Sequence, residues 1–324
     1  PDEPEWHIYR GSILQQLGRV EDTIVAYTDA QERDSDNLAA AWGSKLALPV
    51  VYETPEEIEK FYKRWREGVT ELNGSVILET PGQIEAAFDV VLANPNFLLH
   101  YQGGIHRDDQ EAYGALVFKI VNAKYPALAK INEARYESRA GERPRIGFIS
   151  SNFFNHSIGK IMGPWATMLD AQKFEVHVWH LGLTIDDVTK SIQTNVEHFH
   201  HAPQFSSNLP DIIAETAHDV IVFTDIGMDP IIQVLAALRL APIQINGLGH
   251  PVASGLPTVD YVFGSELMEP ADAQEHYTEE LVLVPNLLWY HDSARIKVPA
   301  LDADTAMQGK VIYLCSQSLF KLLP

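Results

Sequence analysis

The sequence predicts an all-helical region followed by an α/β lobe built on a mostly parallel sheet. Two observations predict this. Up to about residue 140, apolar residues recur at helical spacing between residues suited to starting and ending helices. From Arg145 onward, short apolar runs alternate with helix-length stretches, the pattern of strands covered by helices on both faces. The period changes across Ala140-Gly141-Glu142-Arg143-Pro144, a polar stretch that reads as the domain boundary.

Residues 5 to 37 read as a helical hairpin. Gly11, Leu14, Tyr27 and Ala30 fall at the offsets of a tetratricopeptide repeat, which is about 34 residues long. His7 and Ser35 stand where Trp and Pro are usual, and Trp6 is one place off. A lone repeat cannot bury its own faces, so it is expected to end a longer array or to pack on the next segment of the chain. Thr54-Pro55-Glu56-Glu57 is a helix start: Thr54 caps, Pro55 suits the first turn and Glu57 completes a capping box. Ile58, Phe61, Tyr62 and Trp65 then form one apolar face, read as core packing. A further helix begins near Thr80-Pro81, carries Ile84, Ala87, Phe88 and Val91 inward, and ends at Asn94-Pro95. Another runs through Tyr113, Leu116, Val117, Ile120 and Val121 and stops near Pro126.

Beyond the boundary, Arg145 to Ser150 is a strand that opens into a loop. A helix is expected around 160 to 170. Strands are expected next at Phe174 to His180, Val220 to Thr224, Ile243 to Asn246, Val259 to Phe263 and Leu281 to Val284. After the polar segment Asp302 to Lys310, a new strand is expected at Val311 to Cys315. Ligands of such sheets bind beyond the carboxyl ends of the strands.

The formal net charge of −20 argues against a nucleic-acid partner, because such a surface repels a phosphate backbone. Any anionic ligand needs a local pocket of Lys, Arg or helix N-termini. No apolar run approaches the ~18 residues of a membrane span, and the acidic start lacks the features of a signal peptide. Cys315 is the sole cysteine, so no intrachain disulfide forms, which fits a reducing, cytoplasmic setting. His198, His200 and His201 invite a metal reading. Alternation puts His198 and His200 on one strand face, yet no acidic or Cys ligand is seen to complete a set, so no metal is expected.

Several stretches, in order, resemble the O-linked N-acetylglucosamine transferase family, in its bacterial SPINDLY-type branch. They are Arg145-Ile146-Gly147-Phe148-Ile149-Ser150-Ser151-Asn152-Phe153-Phe154-Asn155-His156, Asp225-Ile226-Gly227-Met228-Asp229-Pro230 and Arg239-Leu240-Ala241-Pro242-Ile243-Gln244. Gly249-His250-Pro251 with Ser254-Gly255-Leu256-Pro257-Thr258-Val259-Asp260-Tyr261 comes next, then Glu269 to Tyr277 and Gln317-Ser318-Leu319-Phe320-Lys321. The likeness is close over about residues 90 to 324 and looser before. It implies a GT-B arrangement, two Rossmann-like lobes facing a cleft, preceded by tetratricopeptide-like helices. Residues 1 to 140 are then the helical domain, 145 to 309 the first, acceptor-side lobe, and 310 to 324 the start of a donor-binding lobe whose remainder is absent. The implied reaction moves a sugar, N-acetylglucosamine, from a uridine diphosphate donor to Ser or Thr of a polypeptide. It inverts the anomeric centre and needs no metal or resident cofactor.

The resemblance also assigns residues. Lys321 matches the family's phosphate-contacting lysine. A lysine about 4 Å from one unit charge gains on the order of 4 kcal/mol at an effective dielectric near 20. Read alone, a Lys there is a solvated side chain. Gln317 and Ser318 are placed to bond sugar or phosphate. His156 matches the family's cleft histidine, with base catalysis and orientation of a substrate both open; Asn155 orders its loop. His250 stands where the best-known members carry Tyr, so contact with acceptor or donor, not proton transfer, is what carries over. Ser254, Gly255 and Thr258 offer hydroxyls and amides to the ligand or else cap a turn. Asp225 and Asp229 position the acceptor or else form a turn. Two other functions compete: glucose transfer to Asn, which relatives with a Gly-His-Pro element perform, and a non-catalytic peptide-binding scaffold. With the donor lobe absent, residues 1 to 324 are expected to turn over negligibly.

Overall fold

The computed structural model describes residues 2–137, 139, 141–247, 249–250, 252–288 and 314–324. The helical region comprises α1 (Pro4–Gln16), α2 (Val20–Arg33), α3 (Leu38–Leu46), α4 (Pro55–Ser75), α5 (Pro81–Ala93), α6 (Arg107–Lys124) and the single turn α7 (Ala134–Glu137). Local chemistry sets the helix starts. Thr80 Oγ1 accepts from Gln83 N at 3.3 Å while Gln83 Oε1 accepts from Thr80 N at 3.0 Å, a full capping box. At α4, Thr54 caps Glu57 N, but the Glu57 carboxylate reaches Glu53 N at 2.8 Å, one residue before the expected partner.

The hairpin residues read from the repeat pattern do pack as a unit. The Tyr27 ring lies between Gly11 and Gly43, where a Cβ would come within 2.8 and 2.4 Å of ring atoms. Helix α3, which the sequence pattern did not separate out, supplies Gly43 and covers the hairpin. The α1–α2 hairpin is therefore closed on one side by α3.

The lobe contains β1 (Arg145–Ser150), α8 (Ser157–Ile161), α9 (Gly163–Thr167), β2 (Glu175–His180), α10 (Asp187–Asn195), β3 (His198–His201), α11 (Leu209–Glu215) and β4 (Val220–Phe223). Helix α12 (Pro230–Ala236), β5 (Ile243–Asn246), β6 (Tyr261–Ser265) and β7 (Glu280–Val284) complete it. The single helix expected around 160 to 170 is two short ones. Pro164, with no N–H to donate, sits at the start of the second turn after Gly163 and breaks the ladder. The expected strand at Val259 starts two residues later, because Val259 N bonds Leu256 O in a turn. Val311 to Tyr313, the start of the last expected strand, lie outside the described residues, as do the segment Asp302 to Lys310, Ala140 and Pro251.

Among the described residues, seven strands form one parallel sheet in the order β3-β2-β1-β4-β5-β6-β7. Chain direction across the sheet reverses between β1 and β4. Open parallel sheets bind ligands in the crevice at that point, outside the carboxyl ends of the strands. Ile149, Trp179, Ile221 and Phe223 on one face join Trp65, Tyr113, Leu116 and Ile120 of the helical region in one continuous core. Each of the Ile, Leu and Phe side chains among them contributes roughly 1.5–3 kcal/mol by leaving water. Phe148, Val176, Val178, Val222 and Ile245 pack the opposite face against Phe153, Ala166 and Ile192. The helical region is thus fixed against the sheet, and its loop between α5 and α6 meets the strand ends.

Candidate active site

The site is assembled where β1, β4 and β5 end. Strand β1 runs into Ser151 to Asn155 and then His156, the N-cap of α8. Ile158 N donates to His156 Nδ1 at 3.2 Å. An imidazole nitrogen that accepts carries no proton, so neutral His156 holds its proton on Nε2. Burial, and then the Lys160 charge, push its pKa down, so the neutral form prevails at neutral pH. His156 therefore presents an N–H donor, which suits orientation of a substrate oxygen better than proton abstraction. Asn155 is exposed and orders the loop through its backbone, its N–H donating to Asp186 Oδ2 at 2.6 Å.

Asp225 follows β4 and is fully buried. Its Oδ2 accepts from Asn152 Nδ2 at 2.6 Å and Ser150 Oγ at 3.1 Å, and its Oδ1 accepts from Thr224 Oγ1 at 2.9 Å. It thereby joins the loops after β1 and β4 across the reversal point. Desolvation raises its pKa to about 7, against the three hydrogen bonds that favour the anion. Asp225 is a positioning group beneath the surface of the site. Asp229 caps α12, accepting from Ile231 N at 2.7 Å, which is the turn-forming alternative.

His250 follows β5 and is 2% exposed. Its ring stacks on Phe97 (5.3 Å between centroids) and Tyr101 (5.9 Å) and meets His100 edge-on at 4.5 Å. The Ile226 backbone lies near enough to favour the charged form, yet neither ring nitrogen has a partner in good hydrogen-bond geometry. Burial first, opposed by that backbone and helped by Lys321, lowers the pKa to about 4. Gly227 makes the fit: with φ +85° it sits where a Cβ would lie 3.1 Å from His250 Nδ1. The His156 and His250 loops touch, because a Cβ on Gly249 would meet Ile158 Cδ1 at 2.3 Å.

Lys321 lies on an exposed 3-10 turn, Leu319–Lys321. Phe320 is inserted edge-on against Phe97 (5.4 Å) and Tyr101 (4.6 Å), and Lys321 Nζ stands 5.9 Å from the Tyr101 ring centre. The turn is thus anchored beside His250. Among the described residues no contact joins Lys321 to His156 directly. Gln317 and Ser318 are exposed, and Ser318 O accepts from Lys321 N at 3.0 Å.

Three expected ligand contacts are placed inside the protein. Thr258 is buried and its Oγ1 donates to Ala236 O at 2.5 Å. Ser254 Oγ accepts from Leu256 N at 3.2 Å, and Ser254 N donates to buried Glu279 at 2.7 Å. Gly255, at φ +68°, is pressed on α6, where a Cβ would stand 1.9 Å from Gln110 O. Gly255 holds the His250 loop to the helical region, while Thr258 and Ser254 spend their polar groups on bonds within the lobe. Conversely, Phe97, His100 and Tyr101 did not emerge from sequence spacing. They lie on or beside a 3-10 turn, Leu98–Tyr101, with no period to reveal it. The dense aromatic and His content between Pro95 and Gly103 was the available signal.

A cavity of about 610 Å3 opens elsewhere, lined by Arg66, Ile105, Arg107, Asp109, Gln274 and Tyr277 among others. Both of its arginines are engaged: Arg66 pairs with Asp109 at 2.8 Å, and Arg107 pairs with Asp108 and donates to Tyr277 O at 3.0 Å. None of the expected site residues lines it, so the strand-end site is the better functional candidate. Among the described residues no helix is long and apolar enough to cross a membrane.

The model of glycosyl transferase family 41 matches residues 111–309. The chain belongs to glycosyl transferase family 41. This family-41 chain is 27% identical over 195 residues to the probable UDP-N-acetylglucosamine–peptide N-acetylglucosaminyltransferase SEC of Arabidopsis thaliana. That match covers 56% of the chain and 20% of the relative. It is 26% identical over 204 residues to the UDP-N-acetylglucosamine–peptide N-acetylglucosaminyltransferase of Caenorhabditis elegans, covering 60% and 18%. A SPINDLY relative from Arabidopsis thaliana is 27% identical over 192 residues, covering 56% and 21%. The chain thus spans about a fifth of the length of these relatives. Its fold matches an O-GlcNAc transferase variant from Thermobaculum terrenum with a TM-score of 0.55 and 20% identity. The match covers 89% of this chain and 52% of that one. Helices followed by a Rossmann-like, GT-B-type lobe are therefore the family-41 architecture here as well.

Proposed function

We propose that this family-41 chain supplies the acceptor-side half of a protein glycosyltransferase cleft. The reaction moves N-acetylglucosamine from a UDP donor to a Ser or Thr hydroxyl with inversion, and residues 310 to 324 lead into the donor-binding lobe. The named relatives act on peptides with UDP-N-acetylglucosamine, which supports the substrate class. The observation that carries the reading is the anchoring of Phe320 and Lys321 on Phe97, Tyr101 and His250, at the carboxyl edge of the sheet.

The chemistry follows from these groups. The bond from the anomeric carbon to the diphosphate breaks as the acceptor oxygen forms its own bond to that carbon, and the hydroxyl proton passes through solvent to the departing diphosphate. Negative charge grows on the departing UDP. The Lys321 ammonium stabilises it, with the Gln317 and Ser318 polar groups beside it. His156 Nε2–H donates to donor or acceptor and holds it in line. His250, buried behind Phe97 and Tyr101, supports the aromatic wall on which Phe320 and Lys321 rest, and Asp225 keeps the two loops in register. No metal or resident cofactor is assigned to the transfer step.

The test is a transfer assay on the full-length protein with UDP-N-acetylglucosamine and UDP-glucose and a peptide mixture, read by mass spectrometry of the modified side chain. N-acetylglucosamine on Ser or Thr is the expected product. Glucose on Asn would replace this reading with the Asn-directed one. No donor consumption with either sugar, while peptides still bind, would leave the scaffold function instead. Residues 1 to 324 alone are expected to show negligible turnover, and robust transfer by them would refute the half-cleft.

A further inference from the structure

We propose that Glu175, His177 and His198 form a binding site for one divalent transition-metal ion of the zinc class, which would staple edge strand β3 to β2. Alternation along β2 puts Glu175 and His177 on the same face, and the parallel register sets His198 of β3 directly beside His177. This corrects the expectation that no acid completes a set with His198: the acid comes from the neighbouring strand, where sequence proximity does not reveal it.

The three donors converge on one point. His177 Nε2 lies 3.0 Å and His198 Nε2 3.5 Å from the same Glu175 oxygen, Oε1. All three donor atoms fall within 4.8 Å of one another. Tetrahedral zinc with bonds of about 2.0–2.1 Å spaces its donors by roughly 3.3 Å. The set therefore needs its side chains to close in by about an ångström. Two imidazoles and a carboxylate are also the donor mix that zinc, and nickel or cobalt in its place, accept. A fourth position faces water, since the His198 side chain is 40% exposed.

The surroundings support the ligands. His177 Nδ1 is 3.1 Å from His200 Nε2, an outer contact that fixes the ring and its tautomer. The His200 ring is itself stacked on Trp179 at 4.0 Å, and Trp179 Nε1 donates to His218 Nε2 at 3.2 Å. Gly147, the register partner of His177, leaves room for His218: a Cβ there would lie 2.7 Å from its ring. Arg145 Nε stands 2.9 Å from Glu175 Oε1 and competes for it. When the ion takes that oxygen, Arg145 retains its bond from Nη1 to Thr216 O at 2.8 Å. Glu175 and His198 begin their strands, at the end of the sheet opposite the transfer site. The ion would therefore act on the edge of the fold, and it is independent of the proposed transfer reaction.

The experiment is equilibrium dialysis of residues 1 to 324 against zinc chloride, with cobalt(II) absorption as the spectroscopic readout. One ion per chain is expected, with the intense visible bands of tetrahedral cobalt and a melting temperature that rises with zinc concentration. His198→Gln, on a half-exposed edge position, should fold normally by circular dichroism and bind at least about 100-fold more weakly, since a direct ligand counts for more than an outer contact. His200→Ala should weaken binding about 10–100-fold through the outer contact alone. His201→Gln, whose ring faces Gly182 O instead, should bind as the parent does. Substoichiometric zinc in the parent chain, full binding by His198→Gln, or an equal loss in His201→Gln would each overturn the site.

Discussion

Lys321 holds its ammonium 5.9 Å from the centre of the Tyr101 ring, so a residue near the end of the described chain is fixed against the loop between α5 and α6. Its charge also reaches His250, which it helps keep neutral. A cation placed against an aromatic face and a neutral imidazole is suited to receive an anion. In the proposed transfer, that anion is the departing diphosphate.

Lys321→Ala in the full-length protein is therefore expected to lower kcat by about 10²–10³-fold, the usual effect of removing one preorganised donor to developing charge. Lys321→Arg should restore part of the rate. Steady-state UDP release measures both, and unchanged far-ultraviolet circular dichroism shows that folding is intact. Normal turnover by the alanine variant would reject the assigned role.

Phe320→Ala removes two aromatic contacts, with Phe97 and Tyr101. Each is worth about 0.5–1.5 kcal/mol beyond its area. The turn that carries Lys321 should loosen while the core stays folded. Tryptic cleavage after Lys321 is expected to accelerate, with little change in melting temperature. Equal cleavage rates would show that the aromatic anchor does not hold the turn.

Asp225→Asn tests the buried carboxyl through pH. The unfolded group titrates near 3.8 and the folded one near 7. Between those values the native chain keeps a proton that the unfolded chain has released. Stability therefore falls as pH rises through the window, by on the order of a few kcal/mol, and is level above it. The buried histidines have the opposite sign: His200, His218 and His250 are lowered by burial to about 4, 3 and 4, and their contribution is lost as pH falls below 6.5. The variant keeps the histidine slope and should lose the Asp225 slope. Denaturant melts of both proteins from about pH 4 to 8 measure the difference, and identical curves would mean that the carboxyl is ionised throughout.

Gly43→Ala should destabilise by about 1–3 kcal/mol, because the added methyl meets the Tyr27 ring already confined by Gly11. Gly74, near the end of α4, has open space around it. Gly74→Ala should stabilise by up to about 1 kcal/mol through helix propensity and a less flexible unfolded chain. Thermal melts of the two variants should move in opposite directions. Shifts of the same sign would contradict the packing of Tyr27 between Gly11 and Gly43.

Much of the fold was legible because it rests on neighbours in sequence. Thr54 and Thr80 cap helices through residues three positions on, and the apolar stripe of α6 is visible as a period. The site was legible in part. His156, His250 and Lys321 stood out through their motifs, but their surroundings did not. Thr258 and Gly255 carry the chemistry of ligand contacts, yet the fold commits both to internal packing. His100 and Tyr101 sit on an aperiodic turn and gained meaning only beside His250.

By itself the sequence determined most of the helices and strands and the motifs of the family, since these depend on capping, periodicity and backbone preference over a few residues. Tertiary structure alone decided which loops meet. It brought Phe97, Tyr101, His250 and Phe320 into one cluster and set Glu175 against His198 across two strands. Those contacts join residues far apart in the chain. They form because burial of the shared core fixes the helical region on the sheet, and no local preference encodes that placement.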